Sequence, residues 1–206
     1  MKILLLGKNG QVGWELQRSL APLGEVLALD RNSTSHCGDL ANLEGLAETV
    51  RVFRPQVVVN AAAYTAVDKA EQEPALAQAI NATAPAVMAE EAARTGACLV
   101  HYSTDYVFNG QSAQPYKESD ATDPLSVYGR SKRDGDAQVM AQAGTYFIFR
   151  SSWVVGVHGG NFLKTMLRLA QERDSLSVVA DQHGVPTSAR WMAQVTREAL
   201  QNPQHA

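Results

Sequence analysis

A cluster of three glycines near the start of the chain restricts the fold more than any other feature of the sequence. The cluster, Gly7, Gly10 and Gly13, follows the apolar run 3–6 and precedes residues 11–23, whose apolar side chains recur at helical spacing. Glycines at such a strand-to-helix turn permit a tight bend and let a ligand's phosphates approach the N–H groups at the helix N-terminus, where Gln11 and Val12 lie. The alternative is a turn that only packs a strand closely against a helix.

Short apolar runs alternate with longer amphipathic stretches along the whole chain. Such alternation is typical of βαβ units, and it predicts a doubly wound parallel α/β sheet of the Rossmann type. Strands are predicted at residues 3–6, 26–29, 57–59, 98–103, 146–150 and 176–179. Helices are predicted at residues 11–23, 43–54, 75–94, 127–142, 162–172 and 189–200, with a kink or break at Pro85.

The composition excludes several classes of protein. Of the 206 residues, 45% are hydrophobic, which is ample for a packed core and argues against a mainly disordered chain. The net charge of −3 gives no footprint for nucleic acid, and no apolar run approaches the ~20 residues that a membrane span needs. Because the apolar start breaks at Gly7 with no small-residue cleavage site, we expect a cytoplasmic protein in which Cys37 and Cys98 stay reduced.

The residues after the predicted second strand bear on the choice of dinucleotide. Asp30 lies about 20 residues beyond the glycines, where a carboxylate accepts hydrogen bonds from ribose hydroxyls and favours NAD. A turn or cap residue is the alternative for Asp30. The neighbouring Arg31 can pair with a 2′-phosphate, so the site is predicted to accept either NADH or NADPH.

Two further segments are candidates for contact with the cofactor. Asp39 and Leu40 lie where they could reach the adenine edge, although capping of the next helix is an equal alternative for Asp39. Ala62 and Ala63 follow the third predicted strand, and their small side chains would let a flat cofactor lie close. Packing of small residues is the alternative for the alanines.

A tyrosine, a lysine and a strand-end hydroxyl form the candidate catalytic group. Tyr128 and Lys132 are four residues apart in a predicted helix and therefore share one face of it. A nearby ammonium is expected to lower the pKa of a phenol toward the operating range, although a solvated helix pair is the common alternative for such spacing. Thr104, with Ser103, ends the fourth predicted strand, where ligands bind in open α/β sheets. A hydroxyl there can hydrogen-bond a substrate carbonyl.

With these motifs in this order, the chain resembles the dTDP-4-dehydrorhamnose reductase branch of the extended short-chain dehydrogenase/reductase superfamily. The matching segments run through nearly the whole chain: residues 7–13, 103–110, 128–132, 150–156 and 181–187. The Ser-Thr-Asp-Tyr-Val-Phe run that begins at Ser103 is specific to this branch, and it is more telling than Tyr-x-x-x-Lys.

The resemblance implies reduction of the 4-keto group of dTDP-4-dehydro-L-rhamnose, for rhamnose-containing polysaccharide, with hydride from NADPH or NADH. Tyr128 would protonate the developing alkoxide, Lys132 would tune Tyr128 and bond the nicotinamide ribose, and Thr104 would hydrogen-bond the reacting oxygen. Asp105 and Trp153 would contact the sugar nucleotide. By the same similarity, the cofactor would contact Gly10, Gln11, Val12, Asp30, Asp39, Leu40, Ala63, Tyr64, Thr65 and Tyr102.

Two departures from related patterns sharpen these expectations. Related sugar-nucleotide dehydratases carry an acid at the position of Tyr106, so its absence favours plain reduction over dehydration. Some relatives hold Mg²⁺ between glutamates of a dimer; here Glu15 is present, but Arg190 stands where a further acid is expected. We therefore predict no metal, and a homodimer is left open.

The resemblance also predicts how the chain is divided. Residues 1–150 are expected to form the NAD(P)-binding domain with the catalytic residues, and residues 151–206 to begin a substrate-binding region that is longer in the family. Two other functions remain: a non-catalytic NAD(P)-binding or regulatory homologue, and a reductase or epimerase of another sugar nucleotide.

Overall fold

The predicted doubly wound sheet is present. The computed structural model describes residues 1–202, and its main sheet has five parallel strands in the order β2-β1-β3-β4-β5. The strands are β1 (Lys2–Leu6), β2 (Glu25–Leu29), β3 (Val57–Asn60), β4 (Cys98–Thr104) and β5 (Thr145–Ser151). After β2 is added on one side of β1, the next strand, β3, is added on the other side. This reversal of the strand order places a crevice at the carboxyl ends of β1 and β3.

Helices cover both faces of this sheet because successive strand side chains point to opposite sides. On one face, Ile3 and Leu5 pack with Leu16 of α1 (Gln11–Leu20) and Ala193 of α8 (Ala189–Gln201). The helices on the other face are α2 (Leu43–Phe53), α5 (Ala84–Thr95) and α6 (Val127–Gln142). Leu4 and Leu6 pack there in a cluster that includes side chains of α2 and α5.

Side-chain caps mark where several helices begin. The Oδ1 of Asn42 accepts a hydrogen bond from the N–H of Gly45 at the start of α2, and the Oγ of Ser126 accepts one from Gly129 at the start of α6. Each cap satisfies an N–H that the first turn of a helix leaves without a partner. The predicted bounds of α6 are confirmed.

The helix predicted at residues 75–94, with a kink or break expected at Pro85, is interrupted by a π-helical turn that ends two residues before Pro85. The region contains α3 (Val67–Ala70), α4 (Pro74–Gln78), a π-helical turn (Ala79–Thr83) and then α5. Proline has no N–H, so Pro85 cannot donate to the carbonyl of Asn81 four residues earlier. A Cβ added at Gly135 of α6 would lie 2.1 Å from that same carbonyl oxygen, so α6 packs directly against the break.

The region after β5 differs from the prediction in one element. The two strands there are β6 (Val154–Val155) and β7 (Thr187–Ser188), which pair in parallel, and α7 (Phe162–Glu172) has its predicted bounds. The strand predicted at residues 176–179 is wrong. Its apolar side chains are exposed, Val179 by 67%, and residues 176–179 pair with no strand of the described residues 1–202.

Within residues 1–202, no helix is both long and apolar enough to cross a membrane.

Candidate active site

A cleft of about 630 Å³ opens at the carboxyl end of the parallel sheet. Its lining comes from the glycine turn, the segment after β3, the end of β4, the start of α6 and the segment after β5. The sequence-predicted residues that line it are Gly7, Gly10, Gln11, Val12, Ala62, Ala63, Thr65, Tyr102, Thr104, Asp105, Tyr128, Lys132 and Trp153. The structure therefore brings together both halves of the predicted site.

Two of the three glycines are required by packing within the turn. Gly7 has φ +86°, and a Cβ there would lie 2.8 Å from backbone atoms of Ala61. A Cβ at Gly13 would lie 2.0 Å from the carbonyl oxygen of Gly7. The close packing that the sequence left as an alternative is thus real, and it fixes the turn at the floor of the cleft.

Gly10 has a different environment, which bears on ligand binding. A Cβ at Gly10 would lie no closer than 3.4 Å to another atom, and Gly10 is the N-cap of α1 without a side-chain cap. No side chain caps the first N–H groups of α1, so these groups can donate hydrogen bonds to a ligand. They lie at the cleft, because Gln11 and Val12 line it. This combination of an open N-terminus and a side-chain-free wall fits the pyrophosphate of a dinucleotide.

The predicted ribose and adenine residues lie outside the main cleft. The carboxylate of Asp30 accepts hydrogen bonds from Asn9, Ser33 and the N–H of Asn32, and with Lys8 it lines a neighbouring recess of about 370 Å³. Arg31 is exposed and lines a further recess of about 550 Å³ that Asp39 also lines.

Asp39 and Leu40 take ordinary structural roles in this structure. The Oδ1 of Asp39 accepts from the N–H of Ala41, so the carboxylate closes a local turn. Leu40 is only 5% exposed and packs in the cluster with Leu4 and Leu6. A side chain buried to this degree offers little surface to an adenine ring.

The two predicted tyrosines of the cofactor side differ in placement. The hydroxyl of Tyr64 donates to Oε2 of Glu73 at 2.6 Å, and this bond raises the pKa of the phenol to about 12; the side chain does not line the cleft. Tyr102 does line it, and its hydroxyl pairs with Oγ1 of Thr196 at 2.5 Å.

Thr104 and Tyr128 are neighbours in the lining of the cleft. The hydroxyl of Thr104 donates to Oδ1 of Asp105 at 3.1 Å and accepts from the N–H of Tyr106 at 3.2 Å. Burial raises the pKa of the Tyr128 phenol to about 12, while the neighbouring Thr104 hydroxyl acts to lower it. Since a phenol with this pKa stays protonated at neutral pH, Tyr128 carries a proton that it can give up.

Lys132 lines the cleft, and its amine is held against β4. Its Nζ is fully buried, donates to the carbonyl oxygen of Tyr102 at 2.7 Å and lies 3.1 Å from Nε2 of His101. Burial lowers the pKa of Lys132 to about 8. Burial is the largest influence on the pKa of Tyr128 and raises it; the lowering expected from Lys132 stays a prediction.

Sequence reasoning missed the group of polar side chains behind Lys132. Asn60, His101 and Asp136 are each 1% exposed and lie on β3, β4 and α6. The sequence predicts that His101 is a satisfied loop or core residue, and it lies in the core. The one sequence signal was the spacing of Lys132 and Asp136, which are four residues apart on a helix.

Trp153 lines the cleft directly after β5. It has the positive φ of 42°, and a Cβ added at Gly184 would lie 2.8 Å from its ring. The ring is 44% exposed, so an apolar face is available to a ligand. Val67 and Met192 also line the cleft and carried no sequence signal that separates them from ordinary packing residues.

Comparison with known proteins identifies what this arrangement is similar to. The family described as the RmlD substrate binding domain matches residues 1–206. A dTDP-4-dehydrorhamnose reductase of Salmonella typhimurium is 57% identical over 200 residues, which are 97% of this chain and 67% of that protein. The chain therefore spans about two thirds of the length of this relative.

Solved structures are also similar to the chain. A dTDP-4-dehydrorhamnose reductase from Clostridium acetobutylicum has a TM-score of 0.92 and 40% identity, over 98% of this chain and 71% of the other. The corresponding protein from Bacillus anthracis, in complex with NADP, has a TM-score of 0.91 and 37% identity, with the same shares.

Proposed function

The chain belongs to the RmlD substrate binding domain family, and on that premise we propose that it reduces the 4-keto group of dTDP-4-dehydrorhamnose to give dTDP-rhamnose. It is an NAD(P)-dependent oxidoreductase with NADPH or NADH as its reductant. The observation that carries the proposal is the meeting of the Tyr128 phenol and the Thr104 hydroxyl in the cleft that the glycine turn floors.

The dinucleotide would lie along the carboxyl end of the sheet. The open N-terminus of α1 would take its diphosphate, and the small side chains of Ala62 and Ala63 would leave room for its flat rings. When bound, NADPH or NADH supplies a hydride from C4 of its nicotinamide ring. Lys8 and Arg31 flank the Asp30 turn, and their two cations favour acceptance of a 2′-phosphate beside that carboxylate.

Tyr128 would provide the proton that balances the reduction. Hydride addition to the carbonyl carbon leaves a negative charge on the sugar oxygen, and the phenol O–H would transfer its proton to that oxygen. Thr104 would hydrogen-bond the same oxygen, since its hydroxyl lies beside Tyr128 and its present acceptor, Asp105, is also in the cleft. Both groups would stabilise charge only as it develops.

Lys132 would act from beneath the cleft. Its buried cation would bond the nicotinamide ribose and place positive potential behind Tyr128 at the moment when the phenol loses its proton. The bond from Nζ to the Tyr102 carbonyl holds the side chain in this position. Burial without solvent makes that potential stronger than the same charge would give at the surface.

The sugar nucleotide would lie beside Asp105 and Trp153, which line the cleft after β4 and β5. Asp105 would accept hydrogen bonds from sugar hydroxyls, and the exposed face of the Trp153 ring would stack on the pyranose. We accordingly keep residues 1–150 as the NAD(P)-binding domain and residues 151–206 as the beginning of the substrate side. Ser151 at the end of β5, and Ser152 and Trp153 directly after it, support that division because they line the cleft, whereas α8 returns to pack on the sheet beside α1.

The decisive experiment follows loss of the nicotinamide absorbance of NADPH with dTDP-4-dehydro-L-rhamnose as substrate. We expect one NADPH to be oxidised for each dTDP-rhamnose formed, with the product identified by chromatography and mass spectrometry. A folded chain that binds NADPH, as seen by fluorescence titration, but turns over no substrate would instead be the non-catalytic homologue. Turnover confined to another keto sugar nucleotide would also refute the proposal.

Location and assembly are further proposals. We infer a cytoplasmic enzyme from the free thiols of Cys37 and Cys98 in the described residues and from a substrate class made inside the cell. Light scattering of the purified chain distinguishes a monomer from a homodimer.

A further inference from the structure

A buried carboxylate behind the cleft has no assigned part in the reaction. Asp136 is 1% exposed, and its Oδ2 accepts hydrogen bonds from Ser103 at 2.7 Å and from Nε of Arg150 at 3.4 Å. Its Oδ1 has no hydrogen-bond partner among the described residues. A buried oxygen left in this way is costly, and it calls for a physical reason.

The free oxygen faces the imidazole that also contacts Lys132. Nε2 of His101 lies 3.7 Å from Oδ1 of Asp136 and 3.1 Å from Nζ of Lys132. His101 therefore lies between the lysine and the carboxylate, which share one face of α6 four residues apart.

The hydrogen bonds of Asn60 determine which nitrogen of His101 carries the proton. Oδ1 of Asn60 accepts from the N–H of Ala62 at 3.2 Å, which fixes the amide so that its Nδ2 donates to Nδ1 of His101 at 3.1 Å. Nδ1 is then an acceptor, and since burial lowers the pKa of His101 well below its ordinary value, the neutral ring carries its proton on Nε2. The nitrogen that carries this proton is near both Nζ of Lys132 and Oδ1 of Asp136.

We propose that Asp136 is a positioning residue that keeps the amine of Lys132 protonated, acting across the imidazole of His101. The imidazole N–H and the burial both disfavour an ammonium at this place, and the carboxylate supplies the opposing negative charge. In support, burial lowers the pKa of Lys132 and Asp136 acts against that effect.

Several elements contribute charged or titratable groups to the surroundings of Lys132 and Asp136. Around Lys132 and Asp136 they are Tyr128 on α6, His101 and Tyr102 on β4, Asp105 after β4 and Arg150 on β5. Of the acids on or beside the other helices against α6, Glu91 pairs with Arg51 and Arg94, and Glu90 also pairs with Arg94. Glu73 pairs with Lys69 and Tyr64, Glu71 accepts from the N–H of Val127, and Asp68 is exposed.

The direct test measures the titration of Lys132 in the protein without added ligand. With lysine labelled at Cε, NMR follows the Lys132 signal against pH, and a Lys132→Met sample assigns it among the six lysines. We expect Asp136→Asn, which keeps the side-chain shape, to move the midpoint to lower pH by about one unit or more. Arg150→Gln removes the cation on the other carboxylate oxygen and is expected to move the midpoint upward.

A matched control and a kinetic readout complete the experiment. Asp134→Asn makes the same charge change on α6 at a partly exposed carboxylate bonded by Arg133 and Gln78, and it should leave the midpoint unchanged. The alkaline limb of kcat, with saturating NADPH, should follow the NMR midpoint in each variant; this second arm rests on the proposed function, whereas the NMR arm does not.

Each outcome of the NMR titrations either supports or overturns the proposed role of Asp136. If Asp136→Asn does not fold, the upward shift in Arg150→Gln carries the test by itself. A Lys132 midpoint that stays at the wild-type value in Asp136→Asn, or in Arg150→Gln where only that variant folds, overturns the proposal. If the protein shows no reductase activity at all, the proposed function fails while the NMR midpoints still decide the role of Asp136.

Discussion

Gly13 lies directly against Gly7, so close that a Cβ at Gly13 would stand 2.0 Å from the carbonyl oxygen of Gly7. This contact seats the first turn of α1 on the end of β1. Gly13→Ala should therefore push α1 from the strand, with a cost of about 1–3 kcal/mol in the free energy of unfolding and a large loss of NADPH affinity. Urea unfolding and NADPH fluorescence titration measure the two effects.

The control for this substitution is Gly144→Ala, because a Cβ at Gly144 meets nothing within 4 Å. That variant should keep both stability and affinity near the wild-type values. A Gly13→Ala protein that binds NADPH as tightly as the wild type would show that the turn does not hold the diphosphate.

Removal of the Tyr128 hydroxyl should abolish most turnover without loss of binding. We expect Tyr128→Phe to lower kcat by about 10²–10⁴-fold, because the phenol is the proton donor and its ring packing is retained. NADPH affinity should change little. Tyr116→Phe removes a phenol that bonds Asn109 outside the cleft, and it should leave kcat unaltered. Retained activity in Tyr128→Phe would require a different acid.

Thr104 can be separated from a merely structural residue by a pair of variants. Thr104→Ala deletes the hydroxyl that bonds Asp105 and Tyr106, and we expect kcat to fall by about 10²–10³-fold, as for loss of one donor to a developing oxyanion. Thr104→Ser keeps the oxygen and should restore most of kcat. Equal losses in both variants would indicate that the methyl group, and so packing, is what matters.

The fold was predictable where local signals agree with one another. The predicted bounds of α6, 127–142, are confirmed, and the Ser126 cap after a polar loop is the local signal that agrees with its start. The strand predicted at residues 176–179 failed for the opposite reason. Its apolar residues have strand-like composition, but strand formation needs a partner strand, and none lies beside them in the described part of the chain.

The site was predictable only in part, for a similar reason. Gly10, Thr104 and Tyr128 lie at strand ends or helix starts, which the topology brings to one edge of the sheet. The link from Asp136 through His101 to Lys132 joins α6 to β4 across the core, and only the spacing of Lys132 and Asp136 signals part of it in the sequence. Leu40, an expected cofactor contact, is buried in the core, and its contact with the cofactor stays a prediction.

Trp153 should matter for the sugar nucleotide and not for the dinucleotide. Its ring lines the cleft and is 44% exposed. Trp153→Ala therefore removes the stacking surface and leaves the residues of the glycine turn unchanged. We expect KM for dTDP-4-dehydrorhamnose to rise about 10-fold, as for loss of one aromatic contact of about 1–1.5 kcal/mol. Trp191→Ala changes another exposed tryptophan away from this cleft and serves as the control. A higher Kd for NADPH in Trp153→Ala would contradict this assignment.

Neutral His101 in the core should make the protein less stable in mild acid. Burial lowers the folded-state pKa of His101 well below its ordinary value of 6.5, so as pH falls below 6.5 the unfolded chain takes up a proton that the folded chain refuses. The free energy of unfolding should then fall by up to about 1.4 kcal/mol for each pH unit from this residue alone.

Urea unfolding at pH 7.0 and pH 5.5 measures the difference. His101→Gln should reduce this difference, and the control His183→Gln, a change at an exposed position, should not. Because burial raises the pKa of Asp136 and gives the opposite slope at lower pH, the comparison between variants is what isolates His101. The same acid dependence in wild type and His101→Gln would mean that the imidazole is already charged in the folded protein.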